Sequence, residues 1–491
     1  IMAVAALAAA GTILYGAWHR ALVPPVAGEL VFGGPPECPE REFCLIGLSE
    51  VYGLEFAEFT PLDAAGPITI AALDGGEIDV ALLFTTSGII ADRGWVSLED
   101  DMGLNPAENL VGIAAAGSEG AITAAQLAVR PVNRATEVLE TVPGMIISQH
   151  SGEGKANQYY LRGFNLDHGF DFAQTVAGIP VNMPTHAHAQ GYADSNFLIP
   201  ELVSGVQFRK GPYYAQNGDF SSAGSANVNY FNVLERPIVS VAGGSFGYRR
   251  FLGAVSPGVG PGHLLAAFEY GQDDGPWESP NEHDKYNGVL RYSQGDARNG
   301  YSVTFMGFSN HWHSTDQIPQ RAVDAGQISR FGFIEETDGG ETSRYSGAFD
   351  WQRSGGDDST RLTAYVQRYG VQLFHNFTYF LNDPVNGDQF EQYEERWTSG
   401  AKLTHRRIAR VGDTFTENAF GVDIRNDAVG GPLGLYLTRA TERLSTVRAD
   451  EVDQVSVGLF GETEVEWNRK LRTTFGVRGD IYRWSVSADN P

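Results

Sequence analysis

The sequence predicts a multidomain chain with an α/β unit near its N-terminus and a long antiparallel β region at its C-terminus. Three observations predict this. At 491 residues the chain exceeds one ordinary domain. Residues 28–110 alternate short apolar runs with helical stretches, the pattern of a parallel α/β unit. After Arg236 the apolar period changes to two, the period of a strand with two unlike faces.

Ile1 to Trp18 carries no charge and is rich in Ala, Ile and Leu, so residues 1–27 read as a signal-like apolar segment or a membrane anchor. The basic leader of a signal peptide does not precede it, and the chain opens on Ile, which implies an exported fragment of a longer reading frame. In the α/β region Leu30-Val31-Phe32 reads as a strand, Gly47 to Tyr52 and Thr69 to Leu73 as helices, and Ile78 to Phe84 as a buried strand. Cys38 and Cys44 are the two cysteines of the chain. A short-loop disulfide and two free thiols are both open, whereas zinc is disfavoured because no His or second cysteine pair lies near them.

In the C-terminal region Val455, Val457, Leu459, Gly461, Thr463, Val465 and Trp467 share one strand face, and Ser456, Gly458, Phe460, Glu462, Glu464 and Glu466 share the other. Asn468-Arg469-Lys470 is a tight turn, after which Leu471, Thr473, Phe475, Val477 and Ile481 resume the apolar face. A membrane barrel and a soluble sandwich both produce this alternation. Polar segments such as His311 to Glu341 and Asn376 to Glu395 read as long loops, and the spacing of the units implies roughly ten to twelve strands after Arg236.

Charge and composition exclude some functions. Asp and Glu number 60 against 35 Lys and Arg, a formal charge of -25, which disfavours nucleic acid as a partner because phosphate binding needs a basic footprint. A mean hydropathy of -0.21 excludes a helical membrane protein but leaves a membrane barrel open. No nucleophile elbow, P-loop, zinc-protease or dinucleotide motif occurs in a fitting context, so the chain reads as a non-enzyme without a cofactor.

Asn157-Gln158-Tyr159-Tyr160-Leu161-Arg162-Gly163-Phe164, Arg209-Lys210-Gly211-Pro212, Val142-Pro143-Gly144-Met145-Ile146, Gly178-Ile179-Pro180-Val181-Asn182 and Ile199-Pro200-Glu201-Leu202-Val203 together resemble the plug domain of TonB-dependent outer-membrane receptors. The resemblance implies an α+β plug over 111–235 and, over 236–491, an incomplete antiparallel transmembrane β-barrel, about half of one with roughly twenty-two strands. It implies that Arg162, Gly163 and Phe164 lie on a buried plug strand and that Gly211-Pro212 turns the chain toward the wall. It makes Leu110, Val111, Gly112, Ile113 and Ala114 the candidate TonB box, the segment that meets the energy-transducing TonB complex by strand addition. Arg130, Glu137, Arg162 and Glu201 become candidates for ion pairs that seat the plug. The implied function is TonB-driven uptake of a small molecule, siderophore or metal chelate across the outer membrane, whose lipid the barrel contacts.

A second set, Gly33-Gly34-Pro35-Pro36-Glu37-Cys38-Pro39-Glu40-Arg41, Gly47-Leu48, Tyr52-Gly53-Leu54, Gly76-Glu77-Ile78-Asp79-Val80 and Pro106-Ala107-Glu108-Asn109, resembles the substrate-binding proteins of glycine betaine/choline ABC importers. It implies a partial α/β periplasmic-binding lobe over 28–110. Arg41 would then meet the ligand carboxylate, and Tyr52 the trimethylammonium group by cation–π attraction; the plainer reading, which carries more weight, makes Arg41 a surface charge or inter-lobe contact and Tyr52 a core aromatic. Ser87 stands where that family usually has Asp, and one partial lobe cannot form a two-lobed cleft. The alternative function is therefore a periplasmic quaternary-amine binding module.

Four histidines, His150, His168, His186 and His188, fall in the plug region. His186 and His188 form a His-x-His pair; on an extended strand both rings would point to one side and could hold a metal or metal chelate, with Asp167 and Asp171 as ligands or supporting groups. His311 and His313 repeat the spacing in an expected loop. The plainer reading is that these rings hydrogen-bond carboxylates or line a wet lumen.

Overall fold

The computed structural model describes residues 2–3, 27–41, 44–62, 67–81, 83–84, 119–149, 154–296, 298–412, 414–468 and 471–489. The chain divides into two units, residues 1–116 with 129–131, and residues 117–128 with 132–491.

The first unit contains β1 (Met2–Ala3), β2 (Val31–Gly34), α1 (Leu45–Tyr52), β3 (Glu58–Pro61), α2 (Pro67–Asp74), β4 (Val80–Ala81) and β5 (Leu83–Phe84). β2 lies between β3 and β4 and is parallel to both. The strand expected over Ile78–Phe84 is two strands, because the ladder changes partner after Ala81: β4 pairs with β2, and β5 pairs with β1. α1 stops at Gly53, whose φ of 65° turns the chain left-handed while its N–H donates to the Leu48 and Ser49 carbonyls. Phe32, Cys38, Cys44, Leu48 and Val80 form a small core, against which Tyr52 packs. Cys38 and Cys44 are joined in a disulfide with Cα atoms 5.3 Å apart. Because the bridge closes a loop of sequence separation 6, replacing both cysteines with Ala is expected to lower the stability of this unit by about 2 kcal/mol. Thermal unfolding with and without reductant measures the loss.

The second unit opens with a plug-like body of β6 (Glu119–Thr123), α3 (Ala124–Ala128), β7 (Met145–Ser148), β8 (Gln158–Leu161), β9 (Phe164–Asn165), β10 (Phe172–Val176), β11 (Ile179–Pro180), β12 (Val203–Lys210) and β13 (Gly224–Tyr230). Five strands form one sheet in the order β11-β10-β13-β12-β6, with β10 and β13 parallel, and β7, β8 and β9 form another. Ile122, Phe172, Val206, Phe208 and Val228 are buried in this body. Arg162 and Gly163, at φ of 52° and 80°, make the two-residue turn between β8 and β9. Arg162, Gly163 and Phe164 are therefore exposed rather than on a buried strand, and Phe164 is 72% accessible.

A twelve-stranded antiparallel wall follows. Its strands are β14 (Ile238–Gly243), β15 (Arg249–Val255), β16 (Gly258–Val259), β17 (Gly262–Asp273), β18 (His283–Gly295), β19 (Asn299–His313), β20 (Gly339–Gly355), β21 (Asp358–His375), β22 (Phe390–Val411), β23 (Thr414–Arg439), β24 (Glu442–Asn468) and β25 (Leu471–Asp489). Apart from the side strand β16, which pairs only with β17, neighbours in sequence are neighbours in the sheet. Among the described residues β14 and β25 do not pair, so the wall is not closed. The hairpin between β20 and β21 turns at 356–357 on one rim, and residues 274–282, 314–338 and 376–389 make long connections on the other. The strands lengthen along the chain, from 6 residues in β14 to 27 in β24.

The wall's exposed side carries Val241, Phe268, Phe305, Trp397, Leu459, Phe475 and Ile481, while Glu269, Thr304, Gln367, Arg396 and Asp427 are buried on the other. A soluble sandwich places apolar residues inside, so this wall has the opposite polarity. Strand pairing also runs further than polarity alone implies. His311 and Glu341 are strand partners, and Phe390 to Glu395 begins β22 rather than ending a loop.

Candidate functional site

The segment from Met183 to Tyr192 is a loop pinched at its base, where the Met183 N–H donates to the Tyr192 carbonyl at 3.0 Å and the Gly191 N–H to the Met183 carbonyl at 2.7 Å. It is not the extended strand expected for the His-x-His pair, and Met183 and Tyr192 form only an isolated bridge. The His186 ring lies flat on Tyr192, with centroids 4.0 Å apart. Its Nδ1 accepts the His188 N–H at 3.1 Å, and its Nε2 is 3.3 Å from the Tyr369 hydroxyl. His188 turns elsewhere: its Nδ1 is 2.8 Å from Gln392 Oε1, and its Nε2 is 3.2 Å from Nε2 of His168. The structure thus joins His168 with His188, while His186 is occupied by tyrosines. His150 and Leu110 to Ala114 lie outside the described residues. Among the described residues no group of three or more His, Cys, Asp or Glu side chains is placed to hold a metal ion.

Burial sets the electrostatics here. It drives His186 well below the ordinary imidazole value, with Arg396 and His168 adding to the shift. It pushes His188 down to about 2, with the Lys155 ammonium acting in the same direction. Lys155 falls to about 8 through burial, opposed by Asp316 and Asp167. Asp194 rises to about 6 through burial, opposed by its hydrogen bond from the Asn196 N–H and by Arg344 and Lys285.

The wall grips this loop through its backbone. Arg396 of β22 bonds Glu394 and the Thr185 carbonyl, and its Nη1 is 3.3 Å from Asp427. Arg425 of β23 donates to Asp427 at 2.7 Å and to the Asn182 carbonyl at 2.9 Å. Glu394 accepts the Ala187 N–H at 2.8 Å, and Gln392 donates to the Ala187 carbonyl at 2.7 Å. Elsewhere Lys402 donates to the Gln216 carbonyl and Asn287 to that of Phe197. Glu201 of the plug accepts both guanidinium nitrogens of Arg250, at 2.6 and 2.9 Å, while Arg250 also bonds Glu269 at 2.7 Å. Glu137 bonds its near neighbour Arg134, and Arg162 is exposed on its turn.

Gln392, Glu394, Arg396, Arg425 and Asp427 belong to no motif in the sequence. The available signal was polar residues at every second position of a wall strand, which marks a lumen face but not its partner. In the first unit Arg41 lies on the surface, 3.7 Å from Glu37, and Tyr52 packs on the core, so the two do not line a common pocket. Gly211, at φ 86°, turns the chain after β12; with Pro212 it leads to β13, which returns to the plug sheet before the wall begins.

Replacing Arg396 with Met is expected to cost about 3–5 kcal/mol, because Glu394 stays buried without its cation while Asp427 keeps Arg425 alone. Hydrogen exchange at Thr185 to His188 should rise sharply. The carboxyl of Asp194 is raised from 3.8 to about 6 in the folded chain, so between those values the folded state holds the extra proton and stability falls as pH rises. Asp194→Asn should therefore be more stable than the parent at pH 7.5, by on the order of 3 kcal/mol, and equal to it below about pH 4. Urea unfolding of the chain in detergent at both pH values measures this.

The family model described as TonB-dependent Receptor Plug Domain matches residues 113–225. The model for the substrate binding domain of an ABC-type glycine betaine transport system matches residues 22–161, overlapping the first. Among solved structures, the unliganded ferric citrate transporter FecA aligns with a TM-score of 0.63 at 12% identity, covering 76% of this chain and 57% of that one. The copper transporter OprC gives 0.57 at 16% identity, with 76% and 59% covered. The ferric-catecholate import receptor Fiu from E. coli K12, open form, gives 0.54 at 14% identity, with 75% and 60% covered. At these identities the likeness is one of fold, and the chain spans a little under two thirds of each receptor's length. Residues 113–225 thus match the TonB-dependent receptor plug domain, the wall that follows shares the fold of such receptors, and a segment is similar to glycine betaine substrate-binding domains.

Proposed function

We propose that the protein is an outer-membrane receptor that takes up a scarce solute, a metal chelate or siderophore, by TonB-driven displacement of its plug. The observation that carries this reading is the wall of inverted polarity whose buried cations hold the plug by its backbone carbonyls. An apolar outer face suits outer-membrane lipid. A plug held by polar contacts leaves when pulled, because each broken bond can be replaced by water in the lumen. The cargo class follows the solved relatives, whose names record ferric citrate, copper and ferric-catecholate transport. In this reading residues 111–235 are the plug, 236–491 the barrel wall, and Leu110 to Ala114 the TonB box. Solute reaches the plug face carrying His168, His186 and His188 from the long-loop rim, and no covalent bond is made or broken.

A second reading, a periplasmic lobe over residues 28–110 that binds quaternary amines, draws on the match to the glycine betaine domain. The surface position of Arg41 and the core packing of Tyr52 weigh against it. One experiment separates the two. Cells expressing the chain are given radiolabelled ferric citrate, ferric catecholate, copper and nickel–citrate with TonB present or absent, alongside Val111→Pro. Uptake of one of these that requires TonB and falls at least tenfold in Val111→Pro is expected. Absence of TonB-dependent uptake, with saturable glycine betaine binding by the purified chain, would replace the receptor reading with the binding module.

A further inference from the structure

Hydrogen-bond chemistry fixes the proton positions of His168 and His188. Nδ1 of His168 lies 2.8 Å from the Ala156 carbonyl and 3.3 Å from that of Asn157. Carbonyl oxygens only accept, so this nitrogen carries hydrogen. Gln392 donates its amide nitrogen to the Ala187 carbonyl at 2.7 Å, which turns its oxygen toward His188 Nδ1 at 2.8 Å. That nitrogen also carries hydrogen. In the neutral rings the lone pair of each is then on Nε2, and these are the two atoms that meet at 3.2 Å. The ring centroids are 4.9 Å apart and the planes lie at 63°, so the nitrogens converge at an angle rather than head-on.

We infer that His168 and His188 form a two-imidazole site for one divalent ion of the zinc, copper or nickel class, held through the two Nε2 atoms. Histidines that bind metals donate their other ring N–H to a carbonyl or similar oxygen, as both do here. A separation of 3.2 Å is the bite of two neighbouring positions on one ion, since bonds of about 2.0–2.1 Å then enclose about 100°. Among the described residues, Asp167 is an acidic neighbour of this nitrogen, with its Oδ1 3.7 Å from His168 Nε2; in this assignment the two imidazoles are the protein's contribution and the ion's own ligands complete its shell. Lys155 and His375 also face His188, and the ammonium repels a bare dication. The site therefore selects an ion whose charge is partly neutralised by anionic ligands and that keeps two open positions. A ferric siderophore that fills all six positions leaves none for imidazole. As a statement about cargo this rests on the uptake function proposed above; as a statement about binding it stands alone.

Cu2+ supplied as its citrate complex to the full chain in detergent tests the site by electron paramagnetic resonance. One bound ion per chain with coupling to two imidazole nitrogens is expected. His188→Gln, whose side chain is partly accessible and whose loss leaves the buried His168 in place, should reduce the coupling to one nitrogen and weaken binding at least tenfold. His263→Gln, at the opposite rim, should change neither. Absence of nitrogen coupling in the parent chain, or two-nitrogen coupling that persists in both His168→Gln and His188→Gln, would overturn the assignment. Two-nitrogen binding without TonB-dependent uptake of copper–citrate would sustain the site and remove it from transport. TonB-dependent uptake of another solute without copper coupling would remove the site and leave the transport function.

Discussion

Four charges on adjacent wall strands, Glu394 and Arg396 of β22 with Arg425 and Asp427 of β23, fix the relation between wall and plug. Removing each ion from water costs several kcal/mol, and pairing within the wall offsets only part of that. The remaining donors end on the plug, at the carbonyls of Thr185 and Asn182, and the remaining carboxylate oxygen accepts the Ala187 N–H. The wall charges are thus fully bonded only when the plug loop is in place. This makes the loop's position specific, and the contacts are to backbone, so they hold the fold of the loop more than its composition.

The same strand reaches the candidate ligand groups. Gln392, Glu394 and Arg396 are two residues apart and share the inner face of β22. Gln392 orients His188, Glu394 lies 4.0 Å from Nε2 of His186, and Arg396 holds Thr185. Whatever shifts the histidines therefore strains the bonds that seat the plug, and displacement of the plug separates His188 from Gln392. In the uptake function proposed above, capture and release would be coupled through one strand, without a relay across the molecule.

Much of this was legible in the sequence, and the losses have physical causes. The period of two after Arg236 placed the wall and its apolar face, because alternation is local and every second side chain meets the same medium. It could not choose between barrel and sandwich, since that depends on which face is exposed, a property of the whole sheet. Arg162-Gly163 was misplaced on a strand, although a glycine after a long polar residue is also a turn signal. The His-x-His spacing marks this loop, but the fold sends its two rings to different neighbours. His168 and His188 meet because the loop is pinched between Met183 and Tyr192, and Gln392 joins them from 204 positions away. Contacts at such separations leave no periodic trace.

The lengthening of the strands sets the height of the wall. At about 3.3 Å per residue, six residues of β14 reach about 20 Å, while the 27 of β24 reach about 90 Å, far beyond a hydrocarbon layer of about 30 Å even when tilted. β23 and β24 stay paired to their tip, where Ala440 and Thr441 close the ribbon at φ of 46° and 69° and Gln389 accepts the Thr441 N–H. A paired ribbon bends far less readily in its own plane than a free loop does. The described strands therefore form a low sill at one end and a stiff parapet at the other, and a diffusing molecule meets that parapet as a fixed screen rather than as a swinging gate.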